Sequence, residues 1–305
     1  MAIEAPPAQP AIKRATAVHR VVKPTSRRPR WVWSTALSRG AIYAFLSISS
    51  VIVLLPLVSI FSVSLQPAGT SVGGLQWPAD PQWSNYVAAW TTGSFSRLMM
   101  NSLVVAAVVV PVTVTITVLA GYAFGTMKFR GSNVLFYMFL IGLVMPFEAT
   151  VVPLYYNLRS MGLINVPLGV MLPQIALYTA FGVFWMRSFF RSTPLALIEA
   201  ARIDGASSLR ILFSVLLPLA RPAILTLATL YFIWSWNEFL LALVILQSPE
   251  VQTAPAGLGL FVGQRLSDIP GLSAGAIIIS IPTLVLYVIL NRKIISGILQ
   301  GAVKG

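Results

Sequence analysis

The chain of 305 residues is 57% hydrophobic and only 10% charged, with a net charge of +13 and no Cys. Since a soluble domain usually has about 25% charged residues, so few charges cannot cover a surface that faces water, and the composition predicts an integral membrane protein. The lack of Cys excludes disulfides, thiolate catalysis and Cys-based metal sites.

Residues 1–40 are polar, basic and interrupted by prolines. We expect a poorly ordered cytoplasmic arm, because the segment has little apolar surface to bury. A cleavable signal peptide is not expected, since the apolar run that follows is too long for the hydrophobic core of a signal.

Six segments are long and apolar enough to span a bilayer, which takes about 20 residues per helix. They cover roughly residues 41–65, 100–126, 133–154, 167–188, 223–246 and 273–291. Prolines interrupt several of them, and such kinks are tolerated where neighbouring helices satisfy the freed carbonyls. The expected fold is therefore all-α, with a six-helix membrane domain over residues 41–291 and a short tail over 292–305.

All but three of the 21 Lys and Arg residues fall on one side of such a chain, the exceptions being Arg97, Arg159 and Arg265. Because basic loops stay in the cytoplasm, both termini and the loop 191–222 are expected there. This asymmetry accounts for the basic excess without nucleic-acid binding. The outer loop 66–99 carries the aromatic residues Trp77, Trp83, Tyr86 and Trp90. They suit either an interfacial belt or a docking surface for an external partner.

The loop 191–222 is the most charged stretch between apolar segments. Thr193 is a good N-cap and Pro194 suits the first position of a helix. The side chains expected on one apolar face are Leu195, Ile198 and Ala201 or Arg202. Gly205, after Asp204, ends this helix, since Gly adopts the left-handed conformation that other residues resist.

A second helix follows, with Ser207 or Ser208 as its cap, and Pro218 and Pro222 end or kink it. The result is a short helix–turn–helix under the membrane. Such an element could rest at the lipid interface, or it could act as a lever that a cytoplasmic partner pushes.

The same loop resembles the EAA motif of ABC importer permeases. The matching residues are Glu199, Ala200, Ala201, Asp204, Gly205 and Ala206, followed at the family's spacing by Leu217 and Pro218. The segments 151–174, 236–246 and 301–305 resemble the MalG-like branch, which takes up carbohydrates.

The resemblance implies a type I ABC importer permease fold in the inner membrane of a prokaryote. The partners it implies are a second, related permease, two cytoplasmic ATPase subunits and an extracytoplasmic solute-binding protein. The motif would form the coupling helices that dock on an ATPase subunit, and Gly301 and Lys304 of the tail are further contact candidates. No G-x-x-x-x-G-K-[ST] phosphate loop occurs in the chain. We therefore expect no cofactor here, with ATP and Mg bound by the ATPase subunits.

Two carboxylates, Glu148 and Glu238, fall within predicted spans, where an unpaired charge is costly. With Asn237 they could line a polar cavity for a sugar, joined by the neighbouring candidates Gln174, Tyr178 and Trp234. The alternative is that these groups form hydrogen bonds that hold the helices together. For Gly121 and Gly125, close helix packing is the expected role.

A competing function is a proton-coupled secondary transporter that uses Glu148 and Glu238. Six spans without an evident inverted repeat argue against it. An intramembrane enzyme has no supporting HExxH, GxSxG or paired-Asp pattern.

Overall fold

The structure is a computed structural model that describes residues 32–70, 75–91, 94–264 and 268–302. Within these ranges, the side chains of residues 32–38, 260–264 and 290–302 are not described. Most of the predicted arm over residues 1–40, and the candidate contact residue Lys304, therefore lie outside the described residues.

All regular structure in the described ranges is helical. The helices are α1 (Val32–Ser64), α2 (Ser84–Thr91), α3 (Phe95–Thr126), α4 (Ser132–Val144), α5 (Phe147–Ser160), α6 (Pro167–Ser192), α7 (Leu195–Ile203), α8 (Ser208–Asn237), α9 (Leu240–Ile245), α10 (Ala254–Gln264) and α11 (Ile269–Ala302). By length and composition, five of them can cross a membrane, namely α1, α3, α6, α8 and α11. The bent pair of α4 and α5 gives a sixth if it counts as one span.

The chain divides into two compact units, Met1–Leu54 and Leu55–Gly305. The described part of the first unit is the beginning of α1, where the apolar side chains of Tyr43, Phe45 and Val53 are at least 67% exposed. Such a helix surface suits contact with lipid. The second unit contains all of the candidate site residues.

The third predicted span, 133–154, is wrong as a continuous helix. Helices α4 and α5 meet at 100° across Met145 and Pro146. Pro146 has no N–H to continue the ladder of α4, and its ring keeps Met145 in extended conformation, with ψ of 127°. The proline therefore breaks the span instead of kinking it.

The fifth predicted span, 223–246, is displaced along the sequence. Helix α8 begins at Ser208 and ends at Asn237, and it passes through both Pro218 and Pro222. Of the two expected effects, ending or kinking the helix, the first does not occur at either proline. The π turn Leu212–Leu216 ends two residues before Pro218 and widens the backbone there, so the proline ring fits without ending the helix.

Close packing of α3 on α6 organises the second unit. A Cβ at Gly121 would overlap Met186 Cβ, and a Cβ at Gly125 would lie 2.9 Å from Phe190 Cβ. The predicted role of the two glycines in close helix approach is thus confirmed.

One buried cluster joins α3, α6, α7 and α8. Its fully buried members include Tyr122, Met186, Phe190, Ile198, Ile211, Leu212, Leu216, Leu227 and Tyr231. Because this cluster contains residues from α7 and from three helices that can span a membrane, it fastens the polar loop to the bundle.

Candidate functional site

The loop 191–222 forms α7, a tight turn and the first turns of α8. Helix α7 begins after Pro194, whose carbonyl accepts a hydrogen bond from the Leu197 amide at 3.1 Å. Thr193 is not its N-cap, contrary to the sequence prediction. Its hydroxyl donates to the Phe189 carbonyl at 3.3 Å, at the end of α6, so it bonds back to the preceding helix and not to an amide of α7.

The end of α7 is a Schellman motif. The Ala206 amide donates to the Ala201 carbonyl at 2.9 Å, and the Gly205 amide donates to the Arg202 carbonyl at 3.0 Å. Gly205 has φ of +77°, in the left-handed region, as the sequence predicted. This geometry gives a physical reason for part of the motif: Gly makes the turn, while the small Ala201 and Ala206 both pack against the core cluster.

The start of α8 completes the turn. Ser207 is the N-cap, and its hydroxyl oxygen accepts a hydrogen bond from the Arg210 amide at 3.4 Å. Of the two serines that the sequence allowed, the structure selects Ser207. The Tyr122 hydroxyl on α3 donates to the Ser208 carbonyl at 3.0 Å, so the turn is also tied to a helix that can span the membrane.

One side chain anchors α7 to the bundle. Ile198 is 2% exposed and belongs to the core cluster with residues of α3, α6 and α8. Of the predicted apolar face, Ile198 and Ala201 pack inward, and Ala201 is therefore the residue that the structure selects over Arg202, whereas Leu195 is exposed. A short helix that is buried on one side and closed by a hydrogen-bonded turn is suited to move with the bundle as one body.

The opposite side of the loop presents apolar side chains outward. Ile203 is 86% exposed and Leu209 is 61% exposed, next to the exposed residues Glu199, Ala200 and Asp204. Ile203 and Leu209 were not among the predicted site residues, although a large aliphatic residue directly before Asp-Gly was a usable signal. Both aliphatic side chains are therefore accessible on the outer surface of the loop.

The last two motif residues lie beyond the turn. Leu217 is half-buried against the core cluster, and Pro218 is exposed on α8. Both therefore belong to the helix that continues into the bundle.

Three of the candidate pathway residues lie where α6 and α8 pack together. Gln174 is buried, and its side-chain oxygen accepts a hydrogen bond from the Ser235 hydroxyl at 2.7 Å. Tyr178 and Trp234 are half-buried, with ring centroids 5.5 Å apart. The Gln174 bond is of the helix-packing kind, one of the two roles expected for these residues. Both rings also pack against the core cluster, and Tyr178 stacks on Tyr231 with centroids 5.8 Å apart.

Asn237 and Glu238 lie at the end of α8. The exposed Asn237 amide donates to the Ile233 carbonyl at 2.8 Å, one turn back on the same helix. Glu238 is half-buried and accepts hydrogen bonds from the Leu241 amide at 2.7 Å and the Ala242 amide at 2.9 Å. Its carboxylate thus caps α9, a role that the sequence analysis missed because it placed Glu238 inside a continuous span.

Glu148 stands apart from the other candidates. It lies in the first turn of α5, directly after the break at Pro146, and it is exposed. No hydrogen bond in the described part of the chain joins it to the other five pathway candidates. Gly301 of the tail lies in the last turn of α11.

Replacing Glu238 with Ala is expected to lower the stability of the second unit, because two backbone amides of α9 lose their acceptor. Each such bond to a charged group contributes about 1.5–3 kcal/mol. Glu238→Gln keeps one acceptor oxygen, so its stability should lie between that of the parent protein and that of the Glu238→Ala protein. Thermal unfolding of the detergent-solubilised protein measures the effect.

The matched control is Asn237→Ala, since the neighbouring amide is exposed and bonds only within its own helix. Its effect on stability should stay within about 0.5 kcal/mol. A Glu238→Ala protein as stable as the parent would contradict the capping role.

These features define a multi-pass helical membrane protein with a rigid polar loop fastened to its spans. The chain belongs to the family of binding-protein-dependent transport system inner membrane components, and the family's sequence model matches residues 117–298. The matched region includes the loop 191–222 and every pathway candidate.

Relatives and a solved structure agree with this family. The chain is 34% identical to the trehalose transport system permease protein SugB of Mycobacterium tuberculosis, over 83% of this chain and 93% of that protein. It is 30% identical to the diacetylchitobiose uptake system permease protein NgcG of Streptomyces coelicolor, over 85% of this chain and 87% of that one. A chain of a bacterial ABC transporter that imports the acidic polysaccharide alginate superposes with a TM-score of 0.70 at 26% identity, covering 85% of this chain and 97% of that chain. The chain is an ABC importer permease with the corresponding fold.

Proposed function

We propose that this permease serves an ATP-driven importer for a sugar or sugar-like solute and forms half of its translocation pathway. The similar permeases named for trehalose and diacetylchitobiose, and the alginate importer of similar fold, support this substrate class. All three names refer to saccharides.

The coupling function rests on one observation: α7 is anchored by Ile198 and closed by the Gly205 turn, yet presents Ile203 and Leu209 outward. In the proposed mechanism, ATP binding closes a pair of ATPase subunits and displaces α7. The buried cluster transmits this displacement to α3, α6 and α8, and the pathway alternates between outward and inward access. The different affinity of ATP for the two states drives the motion.

The remaining subunits of the proposed importer are a second permease, two ATPase subunits and a solute-binding protein. ATP and Mg belong to the ATPase subunits, in line with the lack of a G-x-x-x-x-G-K-[ST] loop in this chain. Both termini and the loop 191–222 face the cytoplasm in this arrangement, and the tail, with Gly301 and Lys304, is a second candidate contact with the ATPase.

For the substrate pathway, the strongest candidates are Tyr178 and Trp234. Their half-buried rings offer stacking surface for the apolar face of a sugar. The exposed amide of Asn237 is placed to bond hydroxyl groups. Gln174 and Glu238 stabilise the helices around this region through their bonds to Ser235 and to α9. Glu148 is the weakest candidate, because it lies apart from the others in the first turn of α5.

Replacing both Ile203 and Leu209 with Ser tests the coupling surface. If the two side chains are buried against an ATPase subunit, their contribution to binding is about 1.5–3 kcal/mol each. The double variant should still insert, but ATPase subunits should no longer copurify with it, and uptake should fall at least about tenfold.

Val144→Ser provides the control, because Val144 is also highly exposed, at 83%, but lies at the end of α4. It should retain the ATPase subunits. Undiminished copurification with the Ile203 and Leu209 double variant would reject the proposed contact.

The proton-coupled alternative has no support among the relatives. Its key residue, Glu238, is occupied in capping α9 through two amides, and Glu148 has no acidic or basic partner among the described contacts.

A further inference from the structure

A cleft of about 710 Å³ lies beside the coupling loop in the second unit. Its walls are the end of α3, the connection from α3 to α4, the last turns of α6 and the start of α7. Neither the family motif nor the translocation pathway accounts for it.

The cleft is lined by cations without a carboxylate. Lys128, Arg187 and Arg191 all line it, and no Asp or Glu is among its lining residues. Arg187 is held in place, since its guanidinium carbon lies 3.7 Å from the centroid of the Phe136 ring and its Nε donates to the Phe124 carbonyl at 3.4 Å. Because Arg has five N–H donors, four remain for an anion.

Basic residues near the ends of spans are usually explained by membrane topology alone. Here the three cations converge on one concave surface, which topology does not require. The polar side chains of Ser132, Asn133 and Thr193 complete the wall. The backbone amides of Asn133 and Val134, in the first turn of α4, make no hydrogen bond within the described part of the chain and add further donors.

An apolar track leads away from the cleft along α4. Val134 lines the cleft and is 66% exposed, and Met138 and Ile141 follow at helical spacing with 61% and 62% exposure. The occupant should therefore combine an anionic head with an apolar tail. The terminal segments of this chain do not fit, since residues 1–31 and 303–305 together contain eight basic residues and one carboxylate, Glu4.

We propose that this cleft binds the headgroup of an anionic phospholipid, with its acyl chains along α4. The phosphate would lie between Lys128, Arg187 and Arg191. Since Leu195 and Ile198 of α7 also line the cleft, the bound lipid would join the α3–α4 connection to the coupling helix. The lipid would lie in the inner leaflet of the membrane, because the proposed function places the loop 191–222 on the cytoplasmic side.

The experiment uses the complete importer, purified and reconstituted in phosphatidylcholine nanodiscs with and without phosphatidylglycerol. Native mass spectrometry counts the phosphatidylglycerol that stays bound to the permease. The test variant is Lys128→Gln with Arg191→Gln, both exposed side chains. The control is Arg130→Gln with Arg221→Gln, which removes the same charge from exposed residues outside the cleft.

The parent and the control should retain phosphatidylglycerol, and the test variant should retain at least about tenfold less, because each basic residue at a membrane surface contributes roughly a fivefold factor to anionic lipid binding. Equal retention by test and control variants would overturn the proposal. Displacement of the lipid by inorganic phosphate would instead identify a site for soluble anions, and loss of ATPase subunits from the test variant in either lipid would assign the cleft to an acidic partner surface. Because lipid retention is measured without ATP, its failure is distinguishable from failure of the coupling function.

Discussion

Replacing Gly205 with Val is expected to abolish uptake while the subunit still inserts into the membrane. Gly205 has φ of +77°, a conformation that costs a residue with a Cβ about 1–2 kcal/mol, and a β-branched residue more. The space around its Cα is open, so the substitution causes backbone strain and no clash. Relief of that strain would break the bond from the Ala206 amide to the Ala201 carbonyl and turn α7 away from its partner.

The chain contains a closely matched control for this change. Gly162 ends α5 in the same Schellman arrangement, with the Leu163 amide donating to the Leu158 carbonyl at 2.9 Å and φ of +71° in open space. Gly162→Val imposes the same strain at a turn outside the coupling loop and should leave most of the uptake intact. Gly205→Asn should retain partial uptake, because Asn tolerates the left-handed region. Radiolabelled solute uptake, normalised to the amount of inserted protein, gives the comparison.

Normal uptake by the Gly205→Val protein would reject the lever mechanism. Equal loss in the Gly162→Val protein would show that strain in any turn is harmful, and would remove the special role of the loop.

Replacing Gly121 with Leu is expected to prevent stable folding of the bundle. Even a Cβ at this position would overlap Met186 Cβ and come within 3.0 Å of the Met186 carbonyl carbon. Since this contact involves backbone, α3 and α6 must separate, and the cost should exceed the usual 1–3 kcal/mol of an overpacked core. The protein should aggregate on detergent extraction, as size-exclusion chromatography would detect.

A pair of Ala variants isolates the steric cause. Gly142 on α4 has open surroundings, with its nearest neighbour, Ala180 Cβ, at 3.9 Å from an added Cβ. Ala favours a helix over Gly by about 1 kcal/mol at either site. Gly142→Ala should therefore be neutral or stabilising, whereas Gly121→Ala should lower the thermal unfolding temperature. Equal stabilisation by both would contradict the packing at Gly121.

Local features of the loop were predictable from the sequence because short-range geometry controls them. Gly205 ends α7 and Ser207 caps α8 through bonds that reach at most five residues along the chain. The apolar segments were equally readable, since bilayer thickness sets their length. The small residues Gly121 and Gly125 indicated close helix packing, but the sequence did not show which helix packs against them.

Predictions failed where proline acts through its surroundings. Pro146 breaks a span and Pro222 does not, although both lie in apolar runs. The π turn Leu212–Leu216 lets α8 continue past Pro218, and the local sequence does not reveal such a turn. The same displacement moved Glu238 from the interior of a helix to the cap of the next one.

Composition and the length of the apolar segments by themselves indicated a helical membrane protein with a charged loop between two spans, because bilayer thickness and turn geometry act over short stretches of chain. The class of permease was indicated by the resemblance of that loop to the EAA motif. Only the tertiary structure decided which side chains of that loop are packed in the core and which are exposed. It alone placed Gln174 against Ser235, and it alone brought Lys128, Arg187 and Arg191 to one cleft. The physical reason is that burial and charge convergence depend on which helices pack together, and residues about 60 positions apart leave no mark of that contact in their own local sequence.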